Sequence, residues 1–275
     1  MTDNELAYAK LEELKKYLME LQSIAVAFSG GVDSAFLLKA AHDVLGERAV
    51  AVTVTADFFP KREYDESVDF CNKEGIIQYF CPVDVLETEA FKTNPPNRCY
   101  FCKKNLFSEI QTLAFKKEIL YIAEGSNMDD DKDYRPGMKA VKELDILSPL
   151  KKVGLLKEEI RFLSKELGLP TWDKPSYACL ASRFVYGEEI TKEKLLMVEK
   201  AEQLLYEFGF RQFRVRVHGL MARIEILPQE FYKLMEESVR QKITDAFKEY
   251  GFTYVSLDLT GYRTGSMNET ISVHK

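Results

Sequence analysis

The sequence predicts an α/β protein built on a doubly wound parallel sheet, with a smaller C-terminal α+β domain. Three observations carry this. Residues 24–28 (IAVAF) form a short apolar run that leads through a glycine turn into a helical pattern. Further apolar runs alternate with helical patterns. After Thr191 the order changes to a helix, two paired strands, a helix and a last strand. Alternating strands and helices give parallel sheets, because right-handed crossovers lay each strand beside an earlier one.

Taken in order, residues 1–21 read as a charged helix and residues 24–28 as the first buried strand. Ala35, Leu38, Ala41 and Leu45 then recur at helical spacing over residues 34–45. Residues 49–54 give a second strand, 62–74 a charged helix, 78–82 a third strand and 120–123 a fourth. The stretch 83–105, with Pro95-Pro96, reads as an irregular insertion. A helix over 155–167 ends at Gly168, with Pro170 beyond it. The second domain reads as a helix over 191–208, strands over 213–218 and 222–227, a helix over 231–250 and a strand over 254–259. The expected domains are therefore 1–183 and 187–275.

Composition narrows the class. With 275 residues, 46% of them hydrophobic, the chain can bury a substantial core. No apolar run approaches the ~18 residues a membrane span needs, and the N-terminal segment lacks signal-peptide character, so a soluble cytoplasmic protein is expected. A formal charge of −6 disfavours a nucleic-acid partner. Five cysteines, an odd number, argue against a disulfide framework. Cys71 and Cys81 read as small buried residues.

The segment Ser29-Gly30-Gly31-Val32-Asp33-Ser34 lies between the first strand and its helix. Two glycines let successive backbone N–H groups face one anion, and the helix adds its N-terminal partial charge. Ser29 and Ser34 bring hydroxyl donors, with Ser34 also a candidate helix cap. Asp33 suits a phosphate site where magnesium lies between the two. The turn lacks both the lysine of G-x-x-x-x-G-K-[ST] and the spacing of G-x-G-x-x-G.

Cys99 and Cys102 form a C-x-x-C pair that can hold one metal, although a redox pair or two incidental cysteines at a helix start share the spacing. Cys179 is expected in a loop returning to the ligand-binding side of the sheet. Three thiols suit a four-iron cluster with one open iron, and no histidine lies nearby in sequence: His42, His218 and His274 are elsewhere. In the second domain, alternation puts Arg214, Arg216 and His218 on one strand face and Phe213, Val215 and Val217 on the other. A turn at Gly219-Leu220 sets Arg216 opposite Arg223, and Arg214 opposite Glu225. Opposed arginines invite a bound phosphate; the alternative is a solvated face with Arg214 and Glu225 paired.

Ser-Gly-Gly-Val-Asp-Ser resembles the pyrophosphate (PP) loop of the N-type ATP pyrophosphatases, whose fold is of the adenine nucleotide alpha-hydrolase-like type. The resemblance continues at Glu124-Gly125-Ser126-Asn127 and Lys157-Glu158-Glu159-Ile160-Arg161. It implies cleavage of ATP between its alpha and beta phosphates, with Thr55, Gly125, Asn127 and Asp130 near the nucleotide.

Arg98-Cys99-Tyr100-Phe101-Cys102-Lys103, Lys174-Pro175-Ser176-Tyr177-Ala178-Cys179-Leu180-Ala181-Ser182-Arg183 and Arg214-Val215-Arg216-Val217-His218-Gly219 narrow it to the LarE-type sulfur transferases, which these segments resemble. That family thiolates pyridinium-3,5-biscarboxylic acid mononucleotide for the nickel-pincer cofactor of lactate racemase. The resemblance implies ATP, Mg2+ and a [4Fe-4S] cluster on Cys99, Cys102 and Cys179 that passes on external sulfide. Members with only the cysteine matching Cys179 sacrifice its sulfur instead. It further implies that Asp33 organises magnesium and that Lys103, Arg98 and Arg183 reach nucleotide or adenylate. Arg214, Arg216, Arg223 and Glu225 then hold the substrate phosphate, and the chain is a homo-oligomer. A tRNA thiolation enzyme is the rival activity, and a non-catalytic nucleotide-binding module the rival class.

Overall fold

Residues 24–27 are apolar throughout, which suits a strand covered on both faces. The computed structural model describes residues 2–86, 88–132, 136–175, 178–263 and 265–268. In it α1 (Asp3–Leu21) leads to β1 (Ile24–Ala27), α2 (Val32–Leu45), β2 (Ala49–Thr55), α3 (Lys61–Glu74) and β3 (Gln78–Pro82). There follow α4 (Glu89–Lys92), α5 (Arg98–Lys116), β4 (Ile122–Ala123), α6 (Gly137–Glu143), α7 (Pro149–Lys152) and α8 (Lys157–Glu166).

The first compact unit comprises Met1–Asp84 and Cys99–Tyr177. Its four strands run in parallel in the order β3-β2-β1-β4, so the chain winds outward from β1 to β3 and then restarts beside β1 with β4. This is the expected doubly wound sheet. Leu14 and Leu18 of α1, Phe36 of α2 and Leu163 of α8 share one core with Ile24 and Val26. Thr2 opens α1 with a reciprocal cap, its hydroxyl accepting from the Glu5 N–H while Glu5 accepts from the Thr2 N–H.

The second unit comprises Val85–Arg98 and Ala178–Lys275. It contains α4, α9 (Lys192–Glu207), β5 (Phe213–His218), β6 (Met221–Ile226), α10 (Phe231–Met235), α11 (Glu237–Glu249) and β7 (Tyr254–Leu257). The hairpin β5-β6 turns at Gly219, whose φ is +62°, and β7 joins β6 in parallel. Arg216 stands opposite Arg223, Arg214 opposite Glu225 and Val215 opposite Ile224, the register that side-chain alternation predicts.

Three features depart from the sequence reading. Residues 85–98 and 178–183, read as part of the first domain, fold with the second unit. Long-range bonds explain it: Ile190 N–H donates to Lys92 O and Gly187 N–H to Asn94 O, both at 2.9 Å, and Asn94 Nδ2 donates to Val185 O at 2.7 Å. The supposedly irregular insertion turns helical at Arg98, where α5 begins. Finally, the helix read over 231–250 breaks at Glu236, which takes φ −58° and ψ 126° without any proline or glycine. Among the described residues no helix is long and apolar enough to cross a membrane.

Candidate functional site

The Ser29–Ser34 turn follows β1, and β4 lies on the other side of that strand, so the turn sits where the winding of the sheet reverses. Such points bind ligands because the loops on either side diverge and leave a crevice at the strand ends. Gly30 has φ +70°, a conformation that costs a side-chain-bearing residue about 1 kcal/mol or more. Gly31 is the N-cap of α2 and gives the first turn no side-chain cap. The helix thus presents its N-terminal amides without a built-in acceptor from the cap residue. Ser34 does not cap α2 as expected. It is buried, its Oγ donating to Gly31 O at 3.2 Å and lying 3.2 Å from Ser29 Oγ.

Asp33, in the first turn of α2, pairs with Lys157 at the start of α8 and accepts from Asn127 Nδ2 at 3.2 Å. Lys157 is the residue whose role the sequence does not disclose: it stands in a motif, but nothing local links it to Asp33. Asn127 is itself fixed, since its N–H donates to Asp130 Oδ2 at 3.0 Å and its Oδ1 accepts from the Asp129 N–H at 2.9 Å. Gly125 brings this loop against the turn. A Cβ there would lie 2.9 Å from the Ser34 nitrogen and 3.2 Å from Asp33 atoms, so only glycine permits the approach.

Ser29, Gly30, Gly31, Asp33, Ser34, Gly125, Asn127 and Asp130 are therefore brought together. Thr55 ends β2 beside Pro82, with its carbonyl accepting from the Val83 N–H at 3.0 Å. Lys103 lies on α5 with its ammonium 4.0 Å from Glu124, the residue before Gly125. Glu124 is buried and accepts from Ser126 Oγ at 2.7 Å and Ser148 Oγ at 2.6 Å.

Cys99 and Cys102 lie in the first two turns of α5 and are half-buried, and Cys179, also half-buried, precedes the short turn Leu180–Arg183 in the second unit as its N-cap residue. Among the described residues no group of three or more His, Cys, Asp or Glu side chains is arranged to hold a metal ion. Cys71 and Cys81 are buried as expected. Burial pushes the Cys71 thiol up to about 12, and burial followed by Glu109 raises Cys81, so neither offers a thiolate near neutral pH. Ser176, Tyr177 and His274 lie outside the described residues.

The arginines of the second unit have partners within the chain. Arg183 is wholly buried: its Nε and Nη2 donate to Glu202 at 2.8 and 2.7 Å, and its Nη1 to Ala178 O, Cys179 O and Ser182 Oγ. It holds the Cys179 turn from inside. Arg98 is also buried, donating to Asn94 Oδ1 at 2.5 Å and Ala181 O at 2.7 Å, so it too braces the chain.

Arg216 and Arg223 do face each other, but the anion beside them is the chain's own Glu225. That fully buried carboxylate accepts from Arg216 Nε at 3.0 Å, Arg223 Nη2 at 3.1 Å and Ser266 Oγ at 2.9 Å. Arg214 stacks over Tyr262 at 5.1 Å and donates to Phe213 O. Burial and then the like charge of Arg183 lower its proton affinity, against the pull of Glu202. The alternative pairing of Arg214 with Glu225 on a solvated face is not what forms, because both side chains are buried and Glu225 turns to Arg216, diagonally across the hairpin, and to Arg223, two residues back on its own strand.

No family profile matches the chain. Individual proteins do. The chain is 40% identical to an uncharacterized protein of Synechocystis sp. (strain PCC 6803), over 96% of this chain and 98% of the relative. It is 34% identical to the pyridinium-3,5-bisthiocarboxylic acid mononucleotide synthase of Lactiplantibacillus plantarum, over 93% of this chain and 92% of that protein. More distantly, it shares 28% identity with the glutamine-hydrolyzing GMP synthase of Dehalococcoides mccartyi (strain CBDB1), over 66% of this chain and 38% of the other.

Proposed function

The chain belongs to the LarE family of pyridinium-3,5-bisthiocarboxylic acid mononucleotide synthases, and from that premise we propose an ATP-dependent sulfurtransferase that acts on pyridinium-3,5-biscarboxylic acid mononucleotide. A substrate carboxylate attacks the alpha phosphate of ATP, the bond to the beta phosphate breaks and pyrophosphate leaves. Sulfide then adds to the acyl-adenylate carbonyl and AMP departs, giving a thiocarboxylate. The observation that carries this reading is the uncapped glycine turn at the winding reversal, with Asp33 and Lys157 at its mouth. Positioning and charge neutralisation are what such a turn contributes to phosphoryl chemistry.

Asp33 suits magnesium: its carboxylate is partly exposed at the first turn of α2 and steadied by Lys157 and Asn127. When bound, the ion neutralises phosphate charge. Gly30, Gly31, Ser29 and Ser34 cradle the leaving pyrophosphate, and Thr55, Asn127 and Asp130 flank the nucleotide. Lys103 is the cation on α5 assigned to AMP. The substrate's phosphate is assigned to the Arg214, Arg216 and Arg223 face, with Glu225 ordering the donors. Support comes from the gathering of buried cations there, where burial first and then the like charge of Arg183 lower the proton affinity of Arg214.

For sulfur delivery, the half-buried thiols of Cys99, Cys102 and Cys179 suit a [4Fe-4S] cluster in donor chemistry, Cys99 and Cys102 being three residues apart on one helix face. Such a cluster supplies an open iron for external sulfide. A second reading, in which Cys179 gives up its own sulfur, is favoured by the half-buried cysteine at a turn clamped by Arg183.

Anaerobic purification with iron analysis, then incubation with ATP, magnesium, sulfide and the pyridinium dicarboxylate, tests both by mass spectrometry. The expected products are thiocarboxylate, AMP and pyrophosphate, with iron lost from Cys99→Ala, Cys102→Ala and Cys179→Ala. No AMP with any acceptor would sink the enzyme reading. Conversion of Cys179 to dehydroalanine without iron would retain the enzyme and reject the cluster.

A further inference from the structure

Lys174 touches the back of the glycine turn. Its ammonium donates to the carbonyl oxygen of Gly30 at 2.9 Å and pairs with Glu66 of α3 at 2.5 Å. The side chain is only 14% exposed, so this cation is committed to the interior of the unit. Its backbone is fixed as firmly: Arg161 of α8 donates Nη1 to Trp172 O at 2.6 Å and Nη2 to Lys174 O at 2.8 Å, while Lys174 N–H donates to Thr171 O at 3.1 Å.

The peptide between Gly30 and Gly31 is planar and trans, so its carbonyl and its N–H point in opposite directions. Gly30, at φ +70° and without a side chain, has little intrinsic reason to keep that plane in one orientation. We propose that Lys174 is a positioning residue for the phosphate loop: by holding the Gly30 carbonyl it aims the Gly31 N–H away from itself, towards the anion. A charged donor on the carbonyl also polarises the peptide and strengthens its N–H as a donor. Glu66 and Arg161 keep the lysine in place. The inference rests on the nucleotide reading of the turn, and it concerns how the turn is made ready.

The test compares Lys174→Met with the unaltered chain. Binding of ATP, pyrophosphate and AMP is measured by calorimetry, and the amide resonance of Gly31 is followed by 15N NMR without nucleotide. ATP and pyrophosphate affinity should fall about 10- to 100-fold, the usual cost of losing a partner that orients a ligand, while AMP affinity stays unchanged and the Gly31 resonance moves. Lys174→Arg should restore most of the loss. Glu66→Gln, which leaves the lysine but frees its stem, should give a smaller loss in the same ATP-to-AMP ratio, and serves if Lys174→Met folds poorly. An unmoved Gly31 resonance, or equal losses for ATP and AMP, overturns the inference. An unaltered chain that binds no ATP overturns the functional reading instead, and the Gly31 shift still reports on the peptide.

Discussion

The glycine turn of the first unit and the arginine face of the second both gather groups suited to anions, yet they are built in opposite ways. The turn relies on backbone amides and the end of α2, with no side-chain acceptor at the cap and a cation, Lys157, on Asp33. The arginine face supplies its own counter-ions: Glu202 takes Arg183, Glu225 takes Arg216 and Arg223, and Asp258 takes Arg223 and Arg263. Donors left open at a helix end mark an anion site more directly than a cluster of arginines does, because a chain that buries arginines must first neutralise them.

The largest effect that sharpens this contrast belongs to the buried pair. Glu202→Gln takes the carboxylate away from Arg183, and breaking a buried pair in this way costs about 3 to 5 kcal/mol, to be read from denaturant unfolding of the second unit. Burial raises the proton affinity of Glu202, but Arg183 outweighs it and the net shift is downward. A carboxylate depressed in the folded state stabilises above its ordinary value of 4.5 and loses that contribution as pH falls through the lowered one. Acid unfolding should therefore be less steep in the variant.

Next comes Asp33→Asn, expected to cut AMP formation about 10²- to 10³-fold, as losing one preorganised charge-stabilising group does, with the unfolding midpoint kept. Wild-type turnover would break the contrast at once. Gly125→Ala should cost about 10²-fold in the same assay, because its Cβ would displace the Asp33–Ser34 backbone. The smallest effect, about tenfold, is expected for Arg214→Ala on the affinity of the pyridinium substrate, with ATP affinity unchanged. Equal losses for both ligands would mean that the face only supports the fold.

What could be read from the sequence was local. Residues 78–82 form β3 as expected, and strand alternation with the Gly219 turn fixed the Arg216–Arg223 register, since both depend on neighbours along one strand. The glycine turn was legible for the same reason. The link between Lys157 and Asp33, and between Arg183 and Glu202, was not: each joins residues through the fold, and a charged residue's spacing does not disclose its partner. The attachment of residues 85–98 to 185–190 escaped too, because it consists of isolated backbone bonds and the Asn94 side-chain amide, without periodicity.

Gly30 in the turn and Gly125 in the loop against it answer different demands, and a saturation library would tell them apart. Gly30 is needed for its left-handed backbone, and a Cβ there would meet nothing closer than 3.4 Å. Asparagine and aspartate enter that conformation more readily than other residues, so survivors at Gly30 should be enriched in them. Gly125 has no positive φ; what excludes a side chain is the Ser34 nitrogen 2.9 Å away. No amino acid escapes that, so position 125 should return glycine alone, an invariance dictated by space at one residue where its neighbour in the fold is ruled by torsion.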